Sequence, residues 1–450
     1  MRRLGGERQR LAVFVGAAVV AAVLTALLVR TGFPPGDDGR PTSPLRAGRA
    51  AVGWGFTHTQ FSADHGDEAA TGRAARLLSA SPMPQNQHIM GWGAGNPEPS
   101  PGRYDFSDLD RRTAWIRRTG GTPVLTLCCA PDWMKGGASG HTDWGALEKA
   151  PDPAHYADFA ALAGKIARRY PDVRHFVVWN EFKGFFDEKK GRWDYEGYTR
   201  LYNLVYRELK KANEGNQVGG PYLVMDSDTG TGGDASAPRG PWGSVDRRVL
   251  DALAYWNRHK AGADFVVVDG SSYSKDDRYA PGPFAATRKF ADVGRWVRKE
   301  TGLPLWWAEW YVEVPDAHDD RNGWSERERL AVQAAGLMEM ASGGATSGLY
   351  WNPEGEGAAC PGCLWSSTEL AEGGRELPMG ELLSRFSRAF PPGVRPSHVA
   401  VTGAGRTAVR ALAGDRTVLV VNTTDRRRTA TVGGEGVTLG GYEVRWLDRP

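Results

Sequence analysis

From Ala51 onward, short runs of apolar, β-prone residues alternate with stretches whose apolar residues recur every three or four positions. The short runs are Ala51–Phe56, Asn86–Trp92, Pro123–Cys129, His175–Trp179, Gln217–Pro221, Phe265–Asp269, Leu305–Trp307 and Gly348–Trp351. The helical stretches are Leu109–Thr119, Tyr156–Tyr170, Tyr198–Asn213, Val245–Lys260, Ala285–Thr301 and Ser325–Ser342. Alternation of this kind specifies parallel strands joined by helical crossovers. Eight strands spread over about 345 residues predict an α/β fold, a (β/α)8 TIM barrel with long loops.

Two segments break the alternation. Leu11–Val29 is an unbroken weakly polar run with no polar face, and Arg2, Arg3, Arg8 and Arg10 precede it. As a helix it would be about 29 Å long, one hydrocarbon core. The basic flank places the N-terminus in the cytoplasm and everything after Arg30 outside. A cleaved signal peptide is the alternative, but its apolar core is normally shorter and no small-x-small site directly follows Val29. Past Pro391-Pro392 the helical period disappears. The runs Val399–Thr402, Arg406–Leu412, Thr417–Asn422, Arg428–Val432 and Tyr442–Trp446 are separated by turn residues, which predicts a small antiparallel β domain. Alone it would have a thin core, so packing on the barrel is expected. The expected organisation is a cytoplasmic tail at 1–10, a transmembrane anchor at 11–29, a linker at 30–49, the barrel at 50–392 and the β domain at 393–450.

Composition narrows the partners. The formal net charge is only +3 and the basic residues are scattered, so there is no nucleic-acid footprint. The 17 Trp residues are unusual, and flat aromatic faces line sugar-binding clefts as well as cores. Cys360 and Cys363 flank a Pro-Gly turn, which outside the membrane predicts a disulfide. The adjacent Cys128 and Cys129 offer poor ligand geometry, and neither a metal nor a cofactor is expected.

In a TIM barrel, chemistry sits at the C-terminal ends of the strands. The fourth run ends HFVVWNEF and the seventh LPLWWAEW, which puts Asn180, Glu181 and Glu309 at strand tips. A carboxylate directly after an apolar run is hard to explain by packing, because burying it unpaired costs several kcal/mol. Strands four and seven face each other across the mouth of an eight-stranded barrel. Two carboxyl groups so placed suit glycosidic cleavage, in which one protonates the leaving oxygen and the other attacks the anomeric carbon. A structural alternative pairs each glutamate with an arginine at the rim. Glu188, Glu196 and Glu313 lie in polar loops, where an exposed glutamate needs no explanation.

VVWNEF followed far downstream by WWAEW resembles the acid/base and nucleophile motifs of the clan A retaining glycosidases. More particularly, the chain resembles glycoside hydrolase family 39, the family of β-xylosidases and α-L-iduronidases. The similar segments are Tyr104–Met134, Tyr156–Phe182, Val218–Tyr222, Leu303–Glu313 and Ser347–Asn352, within roughly Ala50 to Trp351. The resemblance implies that Glu181 is the acid/base, Glu309 the nucleophile, and Asn180 the partner of the sugar 2-hydroxyl. It further implies that His58 and His88 contact sugar, that Tyr273 orients the nucleophile, and that Trp351 is an aromatic platform. Trp92, Trp133 and Trp310 also fall at strand ends and could stack on sugar rings. Two positions depart from the family pattern: Asn86 stands where Arg is usual, and Ser271 where His is usual. These put the sugar in doubt, not the chemistry. The expectation is a retaining hydrolase of extracytoplasmic oligo- or polysaccharide in which Glu181 holds a proton at neutral pH and Glu309 stays ionised. A catalytically inactive surface-anchored carbohydrate-binding protein and a polysaccharide transglycosylase are the alternatives.

Overall fold

The computed structural model describes residues 51–229, 236–314 and 323–449. The expected tail, anchor and linker lie outside the described residues. Among the described residues no helix is long and apolar enough to cross a membrane.

Eight strands close into a parallel barrel: β1 Gly53–Thr57, β2 Pro84–His88, β3 Thr122–Leu127, β4 His175–Val178, β5 Gln217–Val224, β6 Phe265–Ser271, β7 Leu305–Tyr311 and β8 Ala345–Tyr350. Each is followed by a helix: α1 Glu68–Ala80, α2 Ser107–Arg118, α3 Tyr156–Arg169, α4 Tyr195–Ala212, α5 Arg247–His259, α6 Arg288–Thr301, α7 Glu326–Ser342 and α8 Pro378–Ala389. The sequence pattern missed α1 and α8. In α1, Gly72 interrupts a weakly apolar stretch, and the helix is started by the Asp67 side chain accepting from the Ala70 amide at 3.0 Å. Helix α8 opens on Pro378, a residue suited to the first helical turn, and buries Met379, Leu382, Leu383 and Phe386.

Alternation along the strands separates two cores. Val52, Val124, Val177, Tyr222, Phe265, Val267, Trp306 and Ala308 fill the barrel interior. Neighbouring positions such as Trp307 point outward, where its ring meets Phe290 of α6 edge-on at 5.1 Å. Asn86, in place of the arginine, fills the interior with its amide satisfied by Thr57 at 3.1 Å and Thr126 at 2.9 Å.

The C-terminal strands form two antiparallel sheets. β9 Ser397–His398, β11 Val409–Ala413, β12 Thr417–Asn422 and β15 Val444–Asp448 make one; β10 Val401–Thr402, β13 Arg428–Val432 and β14 Glu435–Leu439 make the other. β14 was not expected, since Gly433, Gly434 and Gly436 dilute its pattern. The period of two assigns the faces. Val409, Ala411, Val418 and Val420 pack between the sheets, while Leu412, Leu419 and Val421 join the barrel core. Arg410 leaves the same face as Leu412 and donates to the Phe284 carbonyl at 2.6 Å, so the domain does pack on the barrel. Cys360 and Cys363 are disulfide-bonded, as expected, and so are Cys128 and Cys129, a pairing the sequence did not suggest.

Candidate active site

The end of β4 turns sharply. Trp179, Glu181 and Phe182 all adopt left-handed backbone angles, with φ of 70°, 49° and 56°, a conformation that costs non-glycine residues of order 1 kcal/mol or more each. Packing holds the turn. The buried Trp179 ring meets Phe159 and Phe185 edge-on, and its indole N–H donates to the Lys183 carbonyl at 2.8 Å. The result carries Glu181 and Lys183 to the mouth together, with Lys183 Nζ 2.8 Å from Glu181 Oε2 and 2.6 Å from Glu148.

Two β-bulges on either side of β6 aim the remaining groups. Between β6 and β7 the register slips after Val268, so that Asp269 pairs with Glu309 and Ala308 is left without a partner across β6. Between β5 and β6 the register skips Tyr222, whose φ is 58°. Bulges of this kind redirect side chains. Here they bring Tyr222 Oη to within 3.1 Å of Glu309 Oε2 and set Asp269 beside Glu309; Tyr311 also donates to Glu309, at Oε1. Single oxygens of Glu181, Asp269 and Glu309 all lie within 4.8 Å of one another.

Three carboxyl groups so close cannot all be charged. Burial pushes Glu181 up, but the Lys183 ammonium, with hydrogen bonds from Asp269 and Lys183, more than offsets it and leaves the group at about 2. Burial and the Glu181 charge raise Glu309 to about 8, against the pull of Lys183, Tyr311 and Tyr222. Burial, then Glu309 and Glu181, hold Asp269 well above the carboxylate range. A protonated carboxyl is therefore present at neutral pH, but its place is the reverse of the expectation. Lys183 keeps Glu181 ionised in the resting site, and the protons sit on Asp269 and Glu309. The three oxygens are close enough to face a divalent cation, but Lys183 and the two tyrosine hydroxyls already hold the glutamates, so the trio is a proton-sharing cluster.

Of the other expected residues, several converge here. The His88 ring lies 4.4 Å from Trp92 and 6.0 Å from Trp351, and the two indoles are 6.0 Å apart and nearly perpendicular. Lys183 Nζ sits 5.6 Å from the Trp92 ring, joining this aromatic wall to Glu181. Burial, then Lys183, pushes His88 down to about 3, so its ring is neutral. Asn180 lies against His88 close enough to influence its charge, yet neither His88 ring nitrogen nor Asn180 Oδ1 completes a well-formed hydrogen bond with any described residue. Asp269 Oδ1 likewise has none.

Other residues go elsewhere. His58 is fully buried, with Nδ1 bonded to Ser62 and Nε2 to Gln85 at 2.9 Å, so it is a satisfied core residue. Trp310 is also fully buried, edge-on to Tyr350 and Phe290. Trp133 donates to the Glu98 carbonyl at 2.9 Å and packs on His155. Tyr273 lies beside Tyr279, and the Tyr273 carbonyl accepts from Ser271 at 2.8 Å. Glu313 is not an exposed loop residue: it is buried in an ion pair with Arg329 at 2.5 Å. Glu188 and Glu196 are exposed as expected. The sequence reading missed Asp269, Lys183, Tyr222 and Tyr311. Asp269 follows the apolar run FVVV just as Glu309 follows LWWA, so the same rule applied to β6 would have found it.

Residues 406–447 match the family model described as the D-apionate lactonase C-terminal immunoglobulin-like domain. No curated protein matches the chain. Among solved structures, a monomeric β-xylosidase from Caulobacter crescentus CB15 is similar at 18% identity and a TM-score of 0.54, covering 84% of this chain and 76% of that one. A family 39 glycoside hydrolase from the gut symbiont Bacteroides cellulosilyticus WH2 is similar at 11% identity and a TM-score of 0.56, covering 88% and 81%. A family 30 endoxylanase from Clostridium papyrosolvens C71 is similar at 12% identity and a TM-score of 0.50, covering 86% and 85%. At such identities the likeness is one of fold, and the chain has the barrel architecture found in these glycoside hydrolases.

Proposed function

We propose that the chain is a retaining glycoside hydrolase of an extracytoplasmic oligo- or polysaccharide, with Glu309 as nucleophile and Glu181 as acid/base. The observation that carries this is the approach of the two glutamates, within 4.8 Å oxygen to oxygen, from the tips of opposed strands. Retaining pairs stand about 5–5.5 Å apart and inverting pairs about 6.5–9.5 Å, because an inverting site needs room for water. Glu309 suits attack, since Tyr222 and Tyr311 hydroxyls fix its oxygens. Glu181 stays 15% exposed, where a leaving group can reach it. Neutral His88, Asn180 and the Trp92–Trp351 wall supply the polar and aromatic surface that sugar hydroxyls and ring faces require. The Leu11–Val29 run supports an anchor with the barrel outside the cell, and the two disulfides agree with an oxidising compartment.

The test is hydrolysis of a panel of aryl glycosides, with the anomer of the first product followed by proton NMR. Retention is expected. Inversion, or no turnover of any glycoside, would refute the proposal. The C-terminal match favours a second reading, hydrolysis of a sugar lactone, but the matched segment contains none of the site residues. Adding sugar lactones to the same panel separates the two.

A further inference from the structure

Asp269 has no place in the two-carboxylate scheme, yet it is fully enclosed in the site. It lies on β6, 1% exposed, in hydrogen-bond contact with Glu181 and within 4.8 Å of Glu309. Two carboxyl groups in hydrogen-bond contact must share a proton, since neither ionised group has a donor. The surrounding charges decide which of them carries it. Lys183 faces Glu181 directly but is shared with Glu148. Lys289 of α6, itself fully buried, faces both Asp226 and Asp269. Glu309, Asp226 and the Tyr222 and Tyr311 hydroxyls complete the surroundings of Asp269, and neutral His88 lies near Glu181. Among the described residues no salt bridge reaches Asp269, whereas Lys183 stands 2.8 Å from Glu181. The shared proton belongs on Asp269.

This arrangement leaves an acid catalyst that is ionised at rest. We propose that Asp269 is the proton reservoir of the acid/base unit, passing its proton through Glu181 to the leaving oxygen and taking it back during hydrolysis of the intermediate. The inference rests on the glycosidase reading. In the first half, a Glu309 oxygen bonds to the anomeric carbon as the glycosidic C–O bond breaks. The bond's electron pair goes to the leaving oxygen, which takes a proton from Glu181 as Glu181 takes one from Asp269. The products are a neutral glycosyl ester on Glu309, a neutral alcohol, and ionised Glu181 and Asp269. In the second half, water attacks the anomeric carbon and the ester bond breaks, returning Glu309 to its carboxylate. The water's proton passes through Glu181 back to Asp269.

The experiment compares the wild-type chain with Asp269→Asn, which keeps the shape but cannot carry a mobile proton. The substrates are a 2,4-dinitrophenyl glycoside, whose leaving group needs no proton, and the phenyl glycoside of the same sugar. On the phenyl glycoside kcat/KM is expected to fall about 100-fold, the low end of the range for a lost general acid. The dinitrophenyl glycoside should be turned over nearly as well as by the wild type, and the alkaline limb of the phenyl profile should move to lower pH. Equal losses on both substrates, or an unmoved alkaline limb, would overturn the reservoir while leaving the glycosidase reading intact. A wild-type chain that cleaves neither substrate would overturn both. A second measurement does not depend on the Asp269→Asn chain and needs only that Asp226→Asn, which removes the other buried aspartate that burial pushes up, folds. Infrared spectra of the Asp226→Asn chain labelled with carbon-13 at aspartate carboxyls should show a label-sensitive protonated-carboxyl stretch at pH 7. Its absence would overturn the reservoir whatever the kinetics show.

Discussion

Two kinds of buried carboxylate stand at the same end of this barrel, and they are neutralised in opposite ways. After β1, the Asp64 side chain is 1% exposed and meets the fully buried Arg112 at 2.9 Å and Arg111 at 2.9 Å. After β7, Glu313 accepts from Arg329 Nε and Nη2, at 2.5 and 3.2 Å. Each of these acids has at least one arginine. At the centre, by contrast, Glu181 shares Lys183 with Glu148, and among the described residues no lysine or arginine makes a salt bridge to Asp269 or Glu309. Compensated charges hold loops in place. The under-compensated trio must store protons, and stored protons in a cleft are what acid/base chemistry uses. The structural alternative raised for the glutamates, pairing with arginine at the rim, is realised here, but by Asp64 and Glu313.

The largest expected effect comes from the centre. Glu309→Ala should lower turnover of every glycoside by about 10⁴-fold or more, as loss of a nucleophile does. Glu181→Ala should spare the first step for good leaving groups, with azide rescuing the second; steady-state kinetics on two aryl glycosides checks both. If Glu309→Ala were as active as wild type, the distinction between the two kinds of carboxylate would collapse.

The rim should respond in stability instead. Arg112→Ala leaves Asp64 buried without its main partner and should destabilise the fold by about 3–5 kcal/mol, measured by urea unfolding. The folded fraction should keep the wild-type pH profile. A changed profile would mean that Asp64 belongs to the chemistry.

A smaller effect has the opposite sign. Glu309 titrates at about 8 when folded, above its ordinary 4.5. Between those values the folded state binds more protons than the unfolded one, so this group's contribution lowers stability as pH rises through the window. Glu309→Gln removes that loss. It should match wild type below about pH 4 and exceed it at about pH 8–9, read from Tm against pH. The same ionisation must precede attack, so wild-type kcat/KM should climb with pH towards 8. The smallest effect belongs to the Cys360–Cys363 bridge, whose short loop is worth about 2 kcal/mol or less; the double serine variant should lose only that, with activity unchanged.

Much of this was legible in the chain. Most barrel strands announced themselves as apolar runs because they are buried on both faces, and Glu181 and Glu309 stood out as charges ending such runs. Strand β2, PQNQH, is buried but polar, and the run Asn86–Trp92 overlapped only its last three residues. The helices α1 and α8 were not legible, since capping by Asp67 and packing against the barrel form them more than periodicity does. Lys183 and Tyr222 were hidden for another reason. Their aim depends on left-handed backbone at Trp179, Glu181 and Tyr222 and on a bulge in β5, and no period in the sequence encodes a bulge. His58 misled because a histidine after a strand reads the same whether it faces a cleft or, as here, is bonded to Ser62 and Gln85.

The central claim is that Glu309, alone of the trio, forms the covalent bond. The most direct test is to incubate the chain with the 2-deoxy-2-fluoro dinitrophenyl glycoside of the sugar that the aryl panel selects, then digest it and weigh the peptides. One sugar is expected on the peptide carrying Glu309, and none on those carrying Glu181 or Asp269. A label on either of the other two, or rapid turnover to an inverted product with no label, would contradict it.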